Sequence, residues 1–90
     1  MRLAKVTGTV TATVKDPALA GKSLLIADAV DASGKVKEPA IVAVDTVGAG
    51  VGQTVLIAQG SAARLPAGAA SSPVDATIIA VVDSVQNGKA

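Results

Sequence analysis

A cluster of three glycines is the stretch of this 90-residue sequence whose residue types and spacing could bind a ligand. Glycine lets a backbone adopt positive φ angles and approach another group closely, so such clusters are typical of phosphate-binding loops and of tight chain contacts. Which of these two roles the cluster has decides whether the chain is an enzyme, a binding module or a structural subunit. The cluster consists of Gly48, Ala49, Gly50, Val51 and Gly52.

The residues around the cluster argue against a nucleotide. A dinucleotide-binding loop needs a strand before it and a helix after it, because the helix N-terminus holds the pyrophosphate. The segment that follows, TVLIAQ at 54–59, has the pattern of another strand. A Walker loop also needs lysine, and none occurs between Lys37 and Lys89. We therefore expect the glycines to permit a backbone conformation or a close approach of chains, in a tight hairpin or at an oligomer axis. Binding of a phosphate-bearing small molecule stays as the alternative.

The polar residues near the cluster suggest structural roles. Asp45 precedes the glycines and could accept backbone N–H groups there. Arg64 is either a solvated charge or a bidentate donor across a subunit interface. Ser61 has no histidine to activate it as a nucleophile. Asp75 and Asp83 flank the last apolar run, and the sequence pairs neither with a second carboxylate. We expect no catalytic residue and no enzyme.

Composition excludes several classes of function. The sequence has no cysteine, histidine, phenylalanine, tyrosine or tryptophan, so disulfides, thiolate or imidazole metal sites and stacking platforms are absent. A net charge of +1 and the lack of a basic run give no basic surface that would bind nucleic acid. No stretch approaches the roughly 18 apolar residues of a membrane span, and the N-terminus lacks a signal-peptide core. We expect a cytoplasmic protein without cofactor or metal, and without nucleic-acid or membrane partners.

The size and the small apolar side chains predict an oligomer. Half of the residues are hydrophobic, mostly alanine and valine, and mean hydropathy is +0.55. A chain this short buries only about 60–65% of its unfolded surface, and small side chains stabilise it little each. Because disulfides and metals are excluded, burial between subunits is the remaining source of stability.

The periodicity predicts an all-β fold. Apolar and polar residues alternate along AKVTGTVTATV, with a bend expected at Gly8. Residues 31–39 form a polar connection with a turn at Ser33 and Gly34, and a helical turn with Ser61 as N-cap precedes a mobile loop. We predict one small closed or partly open five-stranded β-barrel domain over residues 1–85 and a frayed tail over 86–90. The predicted strands are 4–14, 24–30, 40–47, 54–59 and 76–85.

Three segments, in their order and spacing, resemble the EutN/CcmL family of bacterial microcompartment vertex proteins. The resemblance covers nearly the whole chain, apart from residues 31–39, 65–72 and the tail. The segments are MRLAKVTGTVTATVKDPALAGKSLLIAD, VAVDTVGAGVGQTVLIAQGSAAR and PVDATIIAVVDSV.

The resemblance implies an OB-like barrel that assembles as a homopentamer. Such pentamers close the five-fold vertices of a polyhedral shell whose facets are tiled by hexameric shell proteins, and this role requires no catalysis. The chain would then lie in the shell of a bacterial microcompartment, with itself and hexameric shell proteins as partners. Our hypothesis is that the glycine cluster lies near the subunit contacts or the axis, with Ser61 and Arg64 beside a subunit contact.

Overall fold

The computed structural model describes residues 1–12, 17–19, 21–65 and 74–86. Two short 3₁₀ turns, Pro17–Leu19 and Gly60–Arg64, accompany five strands. No helix in the part of the chain that is described is long and apolar enough to cross a membrane. The strands are β1 (Arg2–Val10), β2 (Ser23–Val30), β3 (Val36–Asp45), β4 (Thr54–Gln59) and β5 (Ala76–Val81).

The five strands close into a barrel in the order β1-β2-β3-β5-β4. β1 pairs with both β2 and β4, β2 with β3, and β4 with β5, all antiparallel. Only β3 and β5 pair in parallel, at Val44–Thr77 and Asp45–Ile78. The predicted barrel is confirmed. Closure gives every strand two neighbours, which reduces the open edge available for aggregation. β3 pairs with β5 only at its last two residues, so its earlier residues, from Val36, pair with β2 alone.

Small side chains fill the barrel. Every second residue of a strand points inward, and the inward positions are aliphatic. Ile57 and Ile78 are the largest fully buried residues, and four of the five strands contribute an alanine to the barrel core. The predicted bend in β1 coincides with a shift of its register against β2 between Val6 and Gly8. The barrel core consists of Ala4, Val6, Leu25, Ala27, Ala43, Val55, Ile57, Ala76 and Ile78.

A second, smaller core lies outside the barrel wall, under the 3₁₀ turn Gly60–Arg64. Ala63 packs there with Val74 and with Val44, which alternates along β3 with the core residue Ala43. The buried Thr77 hydroxyl donates a hydrogen bond of 2.6 Å to the Ala63 carbonyl. The helical turn is confirmed, but Ser61 as its N-cap is wrong. Gln59 occupies the cap position, without a side-chain hydrogen bond, because the turn begins directly at the end of β4.

The connection between β2 and β3 is shorter than predicted. β3 begins at Val36, so four of the nine residues of the polar segment 31–39 are strand. We call residues 31–40 the arm, since residues 32–40 are all exposed. Main-chain pairing with β2 and an ion pair between Arg2 and Glu38 hold it. The sequence signal failed here because a strand exposed on both faces has no apolar alternation.

Three other strand ends also differ from the predicted ones. β1 ends at Val10, and Thr13 and Val14 of the predicted strand lie outside the described residues. β3 ends at Asp45 and β5 at Val81, two and four residues before the predicted ends, because side-chain hydrogen bonds of Asp45 end the first and a bend begins after the second. Residues 66–73 of the predicted mobile loop and 87–90 of the predicted tail lie outside the described residues.

Candidate assembly site

The glycine cluster belongs to a crossover and not to a hairpin. We call residues 46–53 the glycine loop. It leaves β3 and enters β4, which are separated in the barrel by β5. At its start the Thr46 hydroxyl donates a hydrogen bond of 2.7 Å to the Ile78 carbonyl, and at its end the Gly52 amide donates one of 2.8 Å to the Val6 carbonyl. Ala49 packs against the barrel core. The expected tight hairpin is therefore wrong, and the loop covers one end of the barrel.

The carboxylate of Asp45 organises the start of the loop, as predicted. It accepts hydrogen bonds from the amides of Val47, at 3.0 Å, and Ala49, at 2.9 Å. A carboxylate that accepts amides two and four residues ahead fixes the backbone locally. Between these donors Gly48 has a φ of +79°, in the region that favours glycine.

Gln53 organises the end of the loop. Its side-chain oxygen accepts a hydrogen bond of 2.7 Å from the Gly50 backbone amide. Its backbone amide donates one of 3.1 Å to the Gly50 carbonyl. Gly52 has a φ of +92°, whereas the φ of Gly50 is not positive. A Cβ added at Gly50 would meet only the Gln53 oxygen, at 3.8 Å. One subunit therefore has room for a side chain at position 50.

This hydrogen bonding explains why the loop is a poor phosphate site. A phosphate would need the amides that donate to Asp45 and to Gln53, and the Asp45 carboxylate already supplies the negative charge. Among the described residues, no group of three acidic, histidine or cysteine side chains could hold a metal ion. The small-molecule alternative gains no support from this geometry.

Ser61 and Arg64 lie at the other end of β4. Both side chains are exposed on the 3₁₀ turn that follows the strand. The strand has six residues, which span about 20 Å at the usual rise. The structure therefore does not bring the glycine loop and Arg64 together within one subunit. No described residue accepts a hydrogen bond from the Arg64 guanidinium.

Exposed apolar residues lie at both ends of β4. The sequence placed Val51 in the predicted contact loop, but it did not single out Leu65 or Val85. Leu65, directly after Arg64, is 83% exposed, and Val51 in the glycine loop is 62% exposed. Val85, four residues after the end of β5, is 43% exposed. The only available signal was an aliphatic residue outside the strand periodicity, which does not distinguish an interface residue from a loop residue.

The chain matches a family model described as ethanolamine utilisation protein EutN/carboxysome over residues 1–83. The chain belongs to the EutN/CcmL family. A carboxysome shell vertex protein CcmL from Synechococcus elongatus is 46% identical over 94% of this chain and 86% of its own length. Family membership and the predicted shell-vertex role are confirmed.

Solved structures of the EutN/CcmL family have the same fold. CcmL of Nostoc sp. PCC 7120 is 45% identical, with a TM-score of 0.92 over 98% of this chain and 93% of that one. GrpN, a pentameric microcompartment shell protein from Rhodospirillum rubrum, is 37% identical, with a TM-score of 0.88 over 99% and 100% of the two chains. The predicted barrel class is therefore that of pentameric shell proteins.

Proposed function

We propose that five copies of this chain form a closed ring that caps the five-fold vertices of a bacterial microcompartment shell. The observation that carries the proposal is the match of the whole barrel to a pentameric shell protein, with a TM-score of 0.88. The ring needs no catalysis, and its facet partners are hexameric shell proteins. Facet contacts lie on the outer rim of the ring, where weak association permits shell assembly and repair.

Native mass spectrometry of the purified full chain tests the ring. The expected result is a species of five times the 8.7 kDa chain mass at micromolar concentration. A monomer or dimer that persists across that range contradicts the proposal. Co-expression with a hexameric shell protein tests the facet contact, and closed shells that require this chain are the expected product.

The glycine loop lies at a subunit contact in this proposal, which gives Gly50 its role. A side chain at position 50 fits within one subunit, since its Cβ would meet only one atom at 3.8 Å. Gly50→Val should therefore leave the barrel folded. It should reduce the pentamer fraction, because the valine side chain would clash with the neighbouring subunit. Ala32→Val, on the exposed arm, is the matched control and should assemble like the parent chain. Unchanged assembly of Gly50→Val would remove the loop from the contact.

A further inference from the structure

Two opposite ends of the β4–β5 hairpin carry groups that are complementary but cannot meet within one chain. At the first end the 3₁₀ turn presents Arg64 and the exposed Leu65. At the second end the Val82 amide donates to the Thr54 carbonyl at 2.8 Å, which places the exposed Asp83 beside the start of β4. We call the first the arginine edge and the second, made by Val51, Asp83 and Val85, the aspartate edge.

The charges of the two edges have no partners in their own subunit. Neither the Arg64 guanidinium nor the Asp83 carboxylate forms a hydrogen bond or ion pair with any described residue. Four other described acidic side chains accept hydrogen bonds within their own subunit: Asp28, Asp31, Glu38 and Asp45. Asp75 is the remaining described acidic residue. The carbonyl of Asp75 accepts the Gly60 amide, so this residue lies beside the arginine edge of its own chain. Asp83 is the free carboxylate at the far end.

A closed ring brings such edges together. In a ring with rotational symmetry each subunit contacts its neighbours through two different surfaces, so complementary groups must lie on different sides of one chain. We propose that the arginine edge of each subunit packs on the aspartate edge of the next. Arg64 pairs there with Asp83 of the neighbour, and Leu65 covers Val51 and Val85. This inference rests on the proposed ring.

The arrangement explains two features that one subunit leaves unexplained. Aliphatic side chains on both edges are exposed in the single chain, and an interface core with an arginine anchor buries such groups. Guanidinium and carboxylate also form a planar, bidentate pair, which sets the register of neighbouring subunits as well as attracting them. The glycine loop and Arg64, about 20 Å apart along β4, then meet across the subunit contact.

Engineered disulfides test the contact directly, because the sequence contains no cysteine. We would prepare Leu65→Cys combined with Val51→Cys or with Val85→Cys in the full chain and oxidise each at micromolar concentration. In each pair the two positions belong to opposite edges, which β4 separates by about 20 Å. This is too far for a bond within one subunit, since bridged Cα atoms lie within about 7 Å. At least one pair should give a covalent ladder of up to five chains on a denaturing gel. Each single-cysteine variant should stop at two chains.

The outcomes separate this inference from the proposed ring. A chain that native mass spectrometry shows as a pentamer, but that gives no ladder with either pair, overturns the edge contact and leaves the ring intact. A parent chain that is not pentameric overturns both. A single-cysteine variant can link at most two chains, so two-chain bands from Leu65→Cys alone as strong as those from the pairs would also overturn the contact, because the bonds would then not report the assigned neighbours.

A charge exchange provides an independent readout. Arg64→Asp and Asp83→Arg should each raise the concentration for half-assembly about tenfold or more, since each places like charges together at the contact. The combined exchange should recover most of the loss. The matched control exchanges Arg64 with Asp75, which should give no recovery. Recovery with Asp75, or none with Asp83, would overturn the assigned pair.

Discussion

The glycine loop and the arm contain the same local structure in different surroundings. An Asp-x-x-Gly sequence stands at the start of each: Asp31 to Gly34 in the arm, and Asp45, the residue before the glycine loop, to Gly48. In each the carboxylate accepts amides two and four residues ahead, and the glycine has a positive φ, of +79° and +89°. The sequence-local interactions are therefore alike.

The surroundings of the two turns differ. The glycine loop is tied to the barrel through Ala49, which packs on the core, and through Thr46, which bonds to β5. The arm is exposed from residue 32 to residue 40. Because only the first turn is coupled to the core, we expect equal changes in the two turns to have unequal effects on stability.

Valine at the two glycines should give the largest difference. Gly48→Val forces a β-branched residue to positive φ and should lower the free energy of unfolding by about 2–3 kcal/mol. Gly34→Val introduces the same strain, but the arm can rearrange without disturbing the core, so its cost should be about 1 kcal/mol or less. Denaturant unfolding at one fixed chain concentration measures both, because assembly adds stability by mass action. Equal losses would contradict the comparison.

Removing the carboxylates should give a smaller difference of the same sign. Asp45→Ala leaves two loop amides without their acceptor, one of them partly buried, and should cost about 1–3 kcal/mol. Asp31→Ala frees amides that water can reach, so its melting temperature should stay close to that of the parent chain. A lower melting temperature for Asp31→Ala than for Asp45→Ala would invert the expected order.

A strained residue in the arm offers a stabilising change. Ala40 has a φ of +60°, and its amide donates a hydrogen bond of 2.9 Å to the carboxylate of Asp28. Ala40→Gly should therefore raise the free energy of unfolding by up to about 1 kcal/mol, since glycine adopts this region without strain. The control Ala32→Gly, at a residue without positive φ, should be neutral or slightly destabilising. A loss at Ala40→Gly would show that the strain is absent in solution.

The smallest effect is a shift in titration. Hydrogen bonds from the Ser33 hydroxyl and the Lys35 amide lower the pKa of Asp31 below its ordinary value of 3.8. A carboxyl with a lowered folded pKa stabilises the fold fully at neutral pH and loses this contribution as pH falls below 3.8 through the folded value. NMR titration should give a midpoint below 3.8 for Asp31. Ser33→Ala should move the midpoint up toward that value, and an unmoved midpoint would exclude the hydroxyl as the main cause.

The strands of the barrel were readable from the sequence where one of their faces is buried. Alternation identified β1, and apolar runs identified β2, β4 and β5, because inward positions recur every second residue. The first half of β3 escaped this rule, since the exposed residues 36–40 bury no face. Main-chain bonds to β2 form this strand, and main-chain bonds carry no side-chain signature.

The candidate site was only partly readable. The acceptor role of Asp45 followed from the turn chemistry of Asp-x-x-Gly. The exposed Leu65 and Val85 could not be recognised, because an aliphatic residue looks the same in a sequence whether it lies in a core or on a surface. Their exposure on the surface became evident only from the barrel.

The sequence by itself determined the class of fold, the absence of cysteine and histidine chemistry, and the turns that aspartate and glycine build locally. These properties depend on residues within a few positions of one another. The tertiary structure alone decided that β5 lies between β3 and β4, which makes the glycine loop a crossover over the barrel end. It also decided which of two like turns is tied to the core. Both depend on pairing between segments distant in the chain, whose free energy comes from burial and is not encoded in any single segment.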